Sequence, residues 1–541
     1  MQIAVDNFRS FAYTEYLCSS DLNVFIGRNS SGKSSLLRLF PLLKQTFAND
    51  TSEPFLWYSP DYVDFGEYAN VVGSDSSKPI SFLFNFNLAP SYFYNSNRMY
   101  NLISLFSTDE LSTKNYFDIV HDLDEWDISL QVDALEDYIS KVTLNFLDMR
   151  IVLNFNKHVL ESFKVNTQTI YNNRIHKNSK IVPHKRNFFS LIRPSYSKMH
   201  QASFVSDNND DTSVKNNESL SRASFSELFI NPRIMELFEK IFPSSEITYE
   251  EIEYFFMDDF LFLDREYIEE LFEEHVNIDL YRNEIDELID LYVASYTNDF
   301  LLAIDKYFED YFSKVKYIAP LRAPVQRYYR LQGISLSEVD PSGLNIPMII
   351  ANMNDKEVRK FTKWTKENFG FFITREMTPG HVSILIGVGQ EKPRNIIDLG
   401  FGYSQILPII VELWHTSIRA NSNRKNQINV PYTIVIEQPE LHLHPAMQAD
   451  FIDACINLIQ NIEDNGVKII IETHSETIIN RISESIKKER LNHDSVTINI
   501  VNRDEENNSS VNLVEFDLDG DFTEWPIGFF AAESLKYDYK N

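Results

Sequence analysis

The stretch Gly27-Arg28-Asn29-Ser30-Ser31-Gly32-Lys33-Ser34 fits the pattern G-x-x-x-x-G-K-[ST], and Ser35 follows it. These residue types at this spacing suit one job, the cradling of a phosphate chain. Backbone N–H groups of such a loop point at the β-phosphate, and the start of the following helix adds partial positive charge. Lys33 reaches the β- and γ-phosphates, and the Ser34 hydroxyl is a ligand for Mg²⁺. Gly32 is needed where a β-carbon would block close backbone approach. Gly27, Arg28, Asn29, Ser30, Ser31, Gly32, Lys33, Ser34 and Ser35 are therefore the candidate nucleotide-binding residues, with ATP and Mg²⁺ as expected cofactors.

A second constellation lies near the C-terminal end. The apolar run Thr433 to Ile436 ends in Glu437, followed by Gln438 and, two residues on, Glu440. A carboxylate at a strand end suits a direct or water-mediated magnesium contact, so Ser34 and Glu437 form the expected metal pair. Gln438 is too weakly basic to take a proton, although it can orient water by hydrogen bonds. Glu440 is the nearest acid that can accept one. His474 ends the next apolar run in "ETHSE", where a histidine can meet a γ-phosphate or the attacking water. Glu437, Gln438, Glu440 and His474 are thus the candidate catalytic residues. His442 and His444 form an H-x-H pair that reads as loop packing and subunit contact more readily than as a metal site, because no Cys/His cluster lies nearby. In "DLGFGYSQILPI", a small-residue loop opens a helix-like run, which is another anion-binding arrangement. Gly402, Ser404 and Gln405 are its candidate contacts. One chain has one phosphate loop, so this second loop suggests ATP held between two copies.

The elements that must position these residues are also legible. "LNVFI" (Leu22 to Ile26) is a short strand before the loop, and Ser34 to Phe47 has helical spacing, with an interruption expected near Pro41. "TIVIE" and "KIIIETH" read as fully apolar strands of a parallel sheet, joined by a helix from Met447 to Gln460 in a βαβ unit. "PISFLFNF", "DISLQVDAL", "SKVTLNFL" and "RIVLNFN" read as an antiparallel meander. "SVTINIVNRD" and "SVNLVEFDL" read as further strands. Val205 to Ser221 is polar and loop-like. From Phe225 to Phe312 the pattern is helical, with Ile285, Leu288, Ile289 and Tyr292 on one stripe and Ile268, Leu271 and Phe272 on another. The expected organisation is 1–160 and 316–541 as two parts of one α/β domain, with a mainly helical acidic insertion over 161–315.

Composition narrows the class. The chain has 541 residues and a formal net charge of -29, a field that repels nucleic acid and anionic membrane. Much of that charge is local: residues 246–310 carry 21 Asp/Glu against 3 Lys/Arg. The acidic faces read as solvated surface, with partner docking as the sharper alternative. Cys18 and Cys455 are distant in sequence, which argues against a disulfide framework and fits a reducing cytoplasm. No apolar run reaches membrane-span length, and Met1 opens into a strand-like segment rather than a leader.

Taken in order, the phosphate loop, "GFGYSQ", "IEQPELHLHP" and "ETHSE" resemble the ATP-binding-cassette ATPases of the SMC and RecF kind, and more closely the bacterial AAA-15/OLD-like ATPases. "YIAPLRAP", "VDPSGLNIP" and "WPIGFF" resemble the subgroup of PtuA-like ATPases found in Septu antiphage systems and some retrons. The resemblance covers roughly residues 1–85 and 315–541. It implies an ABC/SMC-type ATPase head, with a parallel phosphate-loop sheet and an antiparallel β subdomain, around the acidic insertion. It also implies a homodimer in which Lys33 and Ser34 of one copy and Gly402, Ser404 and Gln405 of the other hold one ATP. In that arrangement Glu437 assists Mg²⁺, His474 acts as the switch histidine, and Leu441 to His444 form the loop where the copies touch. "FGYSQ" stands where the transporter form has L-S-G-G-Q. Gln438 stands where a catalytic glutamate is usual, although E-[EQ]-P-E is ordinary in the OLD-like group; slow hydrolysis is the expectation.

The 65 residues after Glu476 contain no cluster of metal-binding carboxylates resembling a nuclease domain. The resemblance therefore implies that a partner cuts: a small HNH nuclease (PtuB-like) and, in retrons, a reverse transcriptase with its RNA–DNA product. The alternative is a RecF/SMC-like DNA-binding repair ATPase acting without a nuclease. The basic run Arg174 to Arg186 and the stretch "KHVLESFKVN" are the candidates for gripping nucleic-acid phosphates. A transporter ATPase is disfavoured, because nothing in the chain spans a membrane.

Overall fold

A computed structural model describes residues 1–49, 51, 53–93, 126–146, 148–157, 159–173, 180–185, 190–195, 230–242, 276–333, 336, 338–423, 430–462 and 466–523. Val205–Ser221, residues 246–275 of the acidic segment (with the stripe Ile268, Leu271, Phe272), Arg174 with the five residues after it, Arg186 and the tail "WPIGFF" lie outside the described residues. The chain divides into two units, one of Met1–Val5, Asp50–Pro54 and Ser76–Glu309, the other of Asp6–Asn49, Phe55–Asp75 and Asp310–Asn541.

The second unit contains the phosphate loop. Its main sheet runs, edge to edge, through Val315–Ile318, Tyr432–Glu437, Val467–Glu472, Leu22–Gly27 and Val496–Arg503, each parallel to its neighbour, and then Ser509–Val514, antiparallel. Tyr432–Glu437, Val467–Glu472 and Leu22–Gly27 are buried at every residue. That burial on both faces is why these runs are continuously apolar rather than alternating. Pro445–Gln460 makes the crossover between the second and third of them, and Glu476–Lys487 follows the third. Both helices belong to the same core, through Phe451, Ile452, Cys455, Ile478 and Ile482.

Two helices follow the phosphate loop, Lys33–Leu37 and Leu39–Ala48. The interruption expected near Pro41 falls at Arg38, three residues before it. Pro41 lies in the first turn of the second helix, where a missing N–H costs nothing because that turn has no intrahelical acceptor. A smaller antiparallel sheet in this unit pairs His381–Val388 with Phe371–Thr378, Tyr329–Arg330 and Arg394–Asn395. Asp355–Phe369 precedes it, opened by a capping box of Asn354 and Glu357 and closed by Gly370 in the left-handed region. Phe401–Asn423 carries the "GFGYSQ" motif at its start.

The other unit is built on a meander of Ile80–Leu88, Trp126–Ala134, Ile139–Phe146, Met149–Asn156, Val159–Val165 and Gln168–Asn172, all antiparallel. The boundary expected at residue 160 falls inside the strand Val159–Val165. Ladder hydrogen bonds carry the meander past it, and a cut there would strip a paired edge. The region after 161 is accordingly not helical at its start; Lys180–Lys185 and Ser190–Ser195 form one more hairpin. Helices appear at Asn231–Ile241, Ile278–Ser295 and Thr297–Ser313. Ile285, Leu288, Ile289 and Tyr292 are buried, as their spacing predicts. Phe300 packs on Trp126 and Phe146, and Phe308 on Phe84 and Phe86, so aromatic side chains bond this helix to the sheet.

Ile470 sits fully buried at the centre of the parallel sheet. Ile470→Ala should lower the unfolding free energy of this unit by about 3 kcal/mol, the usual effect of such a cavity. A shift in the urea midpoint, followed by fluorescence, measures it.

Candidate functional site

The phosphate loop leaves the C-terminal end of Leu22–Gly27, the end at which open α/β sheets meet their ligands. Two of its glycines are fixed by geometry. At Gly32 φ is +107°, and a β-carbon would lie 2.7 Å from the Phe11 ring. At Gly27 a β-carbon would lie 2.3 Å from the Val501 carbonyl oxygen on the neighbouring strand. The hairpin of Val496–Arg503 and Ser509–Val514 braces the loop. Arg503 Nη1 donates to the Ser30 carbonyl (2.9 Å), and Ser509 Oγ donates to the Ser31 carbonyl (2.7 Å). Arg9 Nη1 donates to Ser35 Oγ at 3.1 Å.

Within the loop, Lys33 is buried and its ammonium donates to the carbonyls of Gly27 (3.0 Å) and Arg28 (2.9 Å). Burial pulls its pKa below the ordinary lysine value, against the opposing charges of Glu472 and Glu440. An ammonium held this way is poised to exchange loop carbonyls for phosphate oxygens.

A cleft of about 380 Å³ opens above the loop. Of the sequence-predicted residues, it gathers Asn29, Ser30, Gly32, Lys33, Ser34, Ser35, Gln438 and His474; Arg9, Ser10, Glu472 and Arg503 join them. Gln438 has a left-handed backbone, φ +45°, and its N–H donates to the Glu472 carbonyl at 2.8 Å. That strained turn brings its side chain to the cleft, directly after the strand end. His474 Nε2 is buried without a protein hydrogen-bond partner. Burial, then Lys33, hold the imidazole pKa below its ordinary value against Glu440, so His474 is neutral at pH 7. A buried unpaired ring nitrogen is costly, and a ligand in the cleft would satisfy it.

The carboxylates are distributed differently from the sequence expectation. Glu437 and Glu472 end adjacent parallel strands in register. Glu437 does not line the cleft. Its Oε1 accepts from Arg38 Nε (2.7 Å) and the Tyr317 hydroxyl (2.7 Å), and its Oε2 accepts from Arg38 Nη2 (2.8 Å). Arg322 Nη2 donates to the Glu437 carbonyl at 3.0 Å. Burial weakens the Arg38 charge, but the bonds to Glu437 outweigh it and hold that guanidinium above its ordinary pKa. Burial brings Arg322 down to about 10, against Glu440 and Glu437. Ser34 Oγ donates instead to Glu472 Oε2 at 2.7 Å. Burial raises the Glu472 carboxyl above the ordinary carboxylate range; Ser34 opposes that shift and Glu437 adds to it. Glu440 accepts from Thr473 Oγ1 (2.8 Å) and from the His474 N–H (2.8 Å), so it fixes the turn that carries the histidine.

Gly402, Ser404 and Gln405 do not line this cleft. Ser404 and Gln405 are buried, and Ser404 Oγ donates back to the Phe401 carbonyl at 2.6 Å. Gly402 lies against the Leu441 to His444 turn: a β-carbon there would be 2.9 Å from the His442 carbonyl oxygen. The His442 ring meets Phe401 edge-on at 5.0 Å, and His444 Nδ1 caps Pro445–Gln460 by accepting from the Ala446 N–H. Among the described residues no group of three or more His, Cys, Asp or Glu is placed to hold a metal ion. Cys18 and Cys455 are buried free thiols, and among the described residues no helix is long and apolar enough to cross a membrane.

Sequence reasoning passed over Arg38, Tyr317, Arg322 and Glu472. A signal existed for Glu472: "TIVIE" and "KIIIE" are apolar runs with the same acidic terminus. Tyr317 and Arg322 sit inside "YIAPLRAP", a motif noted without a role. Arg38→Met should strand the buried Glu437 carboxylate and lower stability by about 3–5 kcal/mol, the scale for breaking a buried pair. Tyr317→Phe, which removes one hydrogen bond to the same charge, should cost about 1–2 kcal/mol. Thermal unfolding of both variants checks the order.

No curated protein matches the chain. Among solved structures, the chain is similar to the Smc head domain with an extended coiled coil bound to the C-terminal domain of ScpA, from Pyrococcus furiosus. That likeness has a TM-score of 0.35 and 11% identity over 95% of this chain and 96% of that one. It is also similar to the SMC head domain from Thermotoga maritima, with a TM-score of 0.33 and 8% identity over 94% of this chain and 97% of that one. The model of the AAA ATPase domain family AAA_15 matches residues 1–479, which take in the phosphate loop, both strand-end carboxylates and His474. With that match on a braced glycine loop and a buried lysine, the chain belongs to the AAA_15 family of AAA ATPase domains and is an ATPase.

Proposed function

We propose that this ATPase works as a slow ATP switch whose output is delivered by a partner protein. The supporting observation is the state of the acids around Gln438. The cleft offers Lys33, Ser34 and a neutral His474 to a triphosphate, but the acids next in sequence to Gln438 are occupied: Glu437 by Arg38 and Tyr317, Glu440 by Thr473 and the His474 N–H. Gln438 can orient a water molecule and cannot deprotonate it. Binding and positioning are therefore well provided for, and proton removal poorly.

The loop glycines, the orphaned Nε2 of His474 and the Ser34 hydroxyl beside a carboxylate all fit a magnesium nucleotide. Ser34 and a strand-end carboxylate, Glu437 or Glu472, would hold Mg²⁺, which supplies charge neutralisation of the phosphates when bound. Lys33 binds the β- and γ-phosphates, Arg503 and Ser509 keep the loop in shape, Gln438 orients water, and Glu440 holds His474 toward the γ-phosphate.

The second copy in this reading contributes the start of Phe401–Asn423 to its partner's ATP. Ser404 is hydrogen-bonded to its own chain, so the contact would run through the backbone around Gly402 and the exposed Phe401. The motifs shared with PtuA-like ATPases support a defence role, in which the dimer holds an HNH nuclease, and in retrons a reverse transcriptase with its RNA–DNA product, until infection releases the nuclease. The acidic segment suits a docking surface for such a partner.

Four measurements test the proposal. Lys33→Ala should abolish ATP binding by calorimetry, and tight binding in that variant would refute the phosphate-loop assignment. Steady-state turnover should be slow; a rate of about 10 per second or more, the median for enzymes, would remove the slow-switch reading. Glu440→Gln should lower turnover more than Gln438→Ala, because Thr473 and the His474 N–H bond different oxygens of Glu440 and an amide puts a non-accepting NH2 in place of one of them. Purification together with the products of neighbouring genes should bring down a nuclease, and a protein that instead binds DNA with no such partner would favour the repair-type alternative.

A further inference from the structure

We infer that Glu472, rather than Glu437, is the carboxylate that positions Ser34 toward the metal ion accompanying ATP; this rests on the ATP-switch reading above. The two acids are neighbours in register on adjacent strands, yet they face different surroundings. Both Glu437 oxygens are taken by Arg38 and Tyr317, at 2.7–2.8 Å, and its charge is matched by a bidentate guanidinium. Such a pair is directional and strong, and a cation could recruit Glu437 only by breaking it. Arg38 follows the loop closely, and its own N–H donates to the Ser34 carbonyl at 3.0 Å. Glu437 thus fixes the backbone that carries Ser34.

Glu472 lines the cleft and accepts the Ser34 hydroxyl proton at 2.7 Å. A serine hydroxyl has one proton and two lone pairs. With the proton committed to Glu472, the lone pairs are left for a hard cation, which favours oxygen ligands. Lys33 Nζ lies 3.9 Å from Glu472 Oε1, so the lysine, the serine and this carboxylate form one group under the phosphate position. Glu472 is then a positioning residue: it would hold Ser34 in the rotamer that offers its lone pairs to the metal.

The test is nucleotide binding rather than turnover. The affinity of the full-length protein for a fluorescent ATP analogue is titrated against Mg²⁺, and Mn²⁺ binding in the presence of the analogue is followed by electron paramagnetic resonance. Glu472→Gln should raise the Mg²⁺ concentration for half-maximal effect by about tenfold or more, the usual effect of losing a residue that orients a metal ligand. Affinity without metal should not fall, since Lys33 and the loop remain and a negative charge beside the phosphates is removed. Glu437→Gln should lower the melting temperature and move the Mg²⁺ midpoint less than Glu472→Gln does. Glu472→Asp, which keeps the charge and shortens the reach, should give an intermediate shift and serves if the glutamine variant folds poorly. A Mg²⁺ midpoint that moves with Glu437→Gln and not with the Glu472 variants overturns the inference while the ATP-switch reading stands. A wild-type protein that binds no nucleotide at all sinks that reading and this inference with it.

Discussion

Two carboxylates end adjacent strands of a buried parallel sheet, side by side and almost without solvent, and the architecture around the cleft answers that constraint. Burying one ionised carboxylate is costly, and burying two in register adds their repulsion. The chain resolves the conflict by giving each acid a different partner. Glu437 receives a bidentate guanidinium from Arg38 and a phenol from Tyr317, while Glu472 receives the Ser34 hydroxyl and the field of Lys33. The partners come from the segment that begins with the phosphate loop, apart from Tyr317 on the edge strand Val315–Ile318. Satisfying the strand ends and placing the loop are therefore one problem with one solution.

The loop is also held from its other side. The hairpin near the C-terminal end of the described chain lies next to Leu22–Gly27 and donates Arg503 and Ser509 to the carbonyls of Ser30 and Ser31. Those bonds keep an irregular turn with left-handed residues in one shape, which is what preorganised phosphate binding requires. The turn after Glu437 is fixed by the same economy. Gln438 bonds the Glu472 carbonyl through its backbone, and Glu440 bonds Thr473 and His474. The segment from Glu437 to Glu440 and the segment from Glu472 to His474 thus lock each other at the mouth of the cleft.

Much of this was legible residue by residue. The phosphate loop has a strict spacing, the parallel strands are short unbroken apolar runs, and the meander alternates with period two. The helix break near Pro41 is legible to within a turn, and its exact place at Arg38 depends on which turn the proline occupies. The division expected at residue 160 falls inside the strand Val159–Val165. Sequence patterns mark elements, while ladder hydrogen bonds to distant strands decide which elements belong together.

The sequence by itself determined the chemistry on offer: a glycine loop with lysine and serine, acids and a histidine at strand ends, and an amide where an acid was expected. Only the tertiary structure decided which acid serves which partner. Glu437 and Glu472 end runs of nearly identical pattern, so nothing local distinguishes them. The difference comes from Arg38 and Tyr317, 399 and 120 residues away from Glu437 in sequence, and from Ser34, 438 residues away from Glu472. A buried charge takes its role from the counter-charges the fold brings to it, and those contacts are set by sheet order, which no short stretch of sequence encodes.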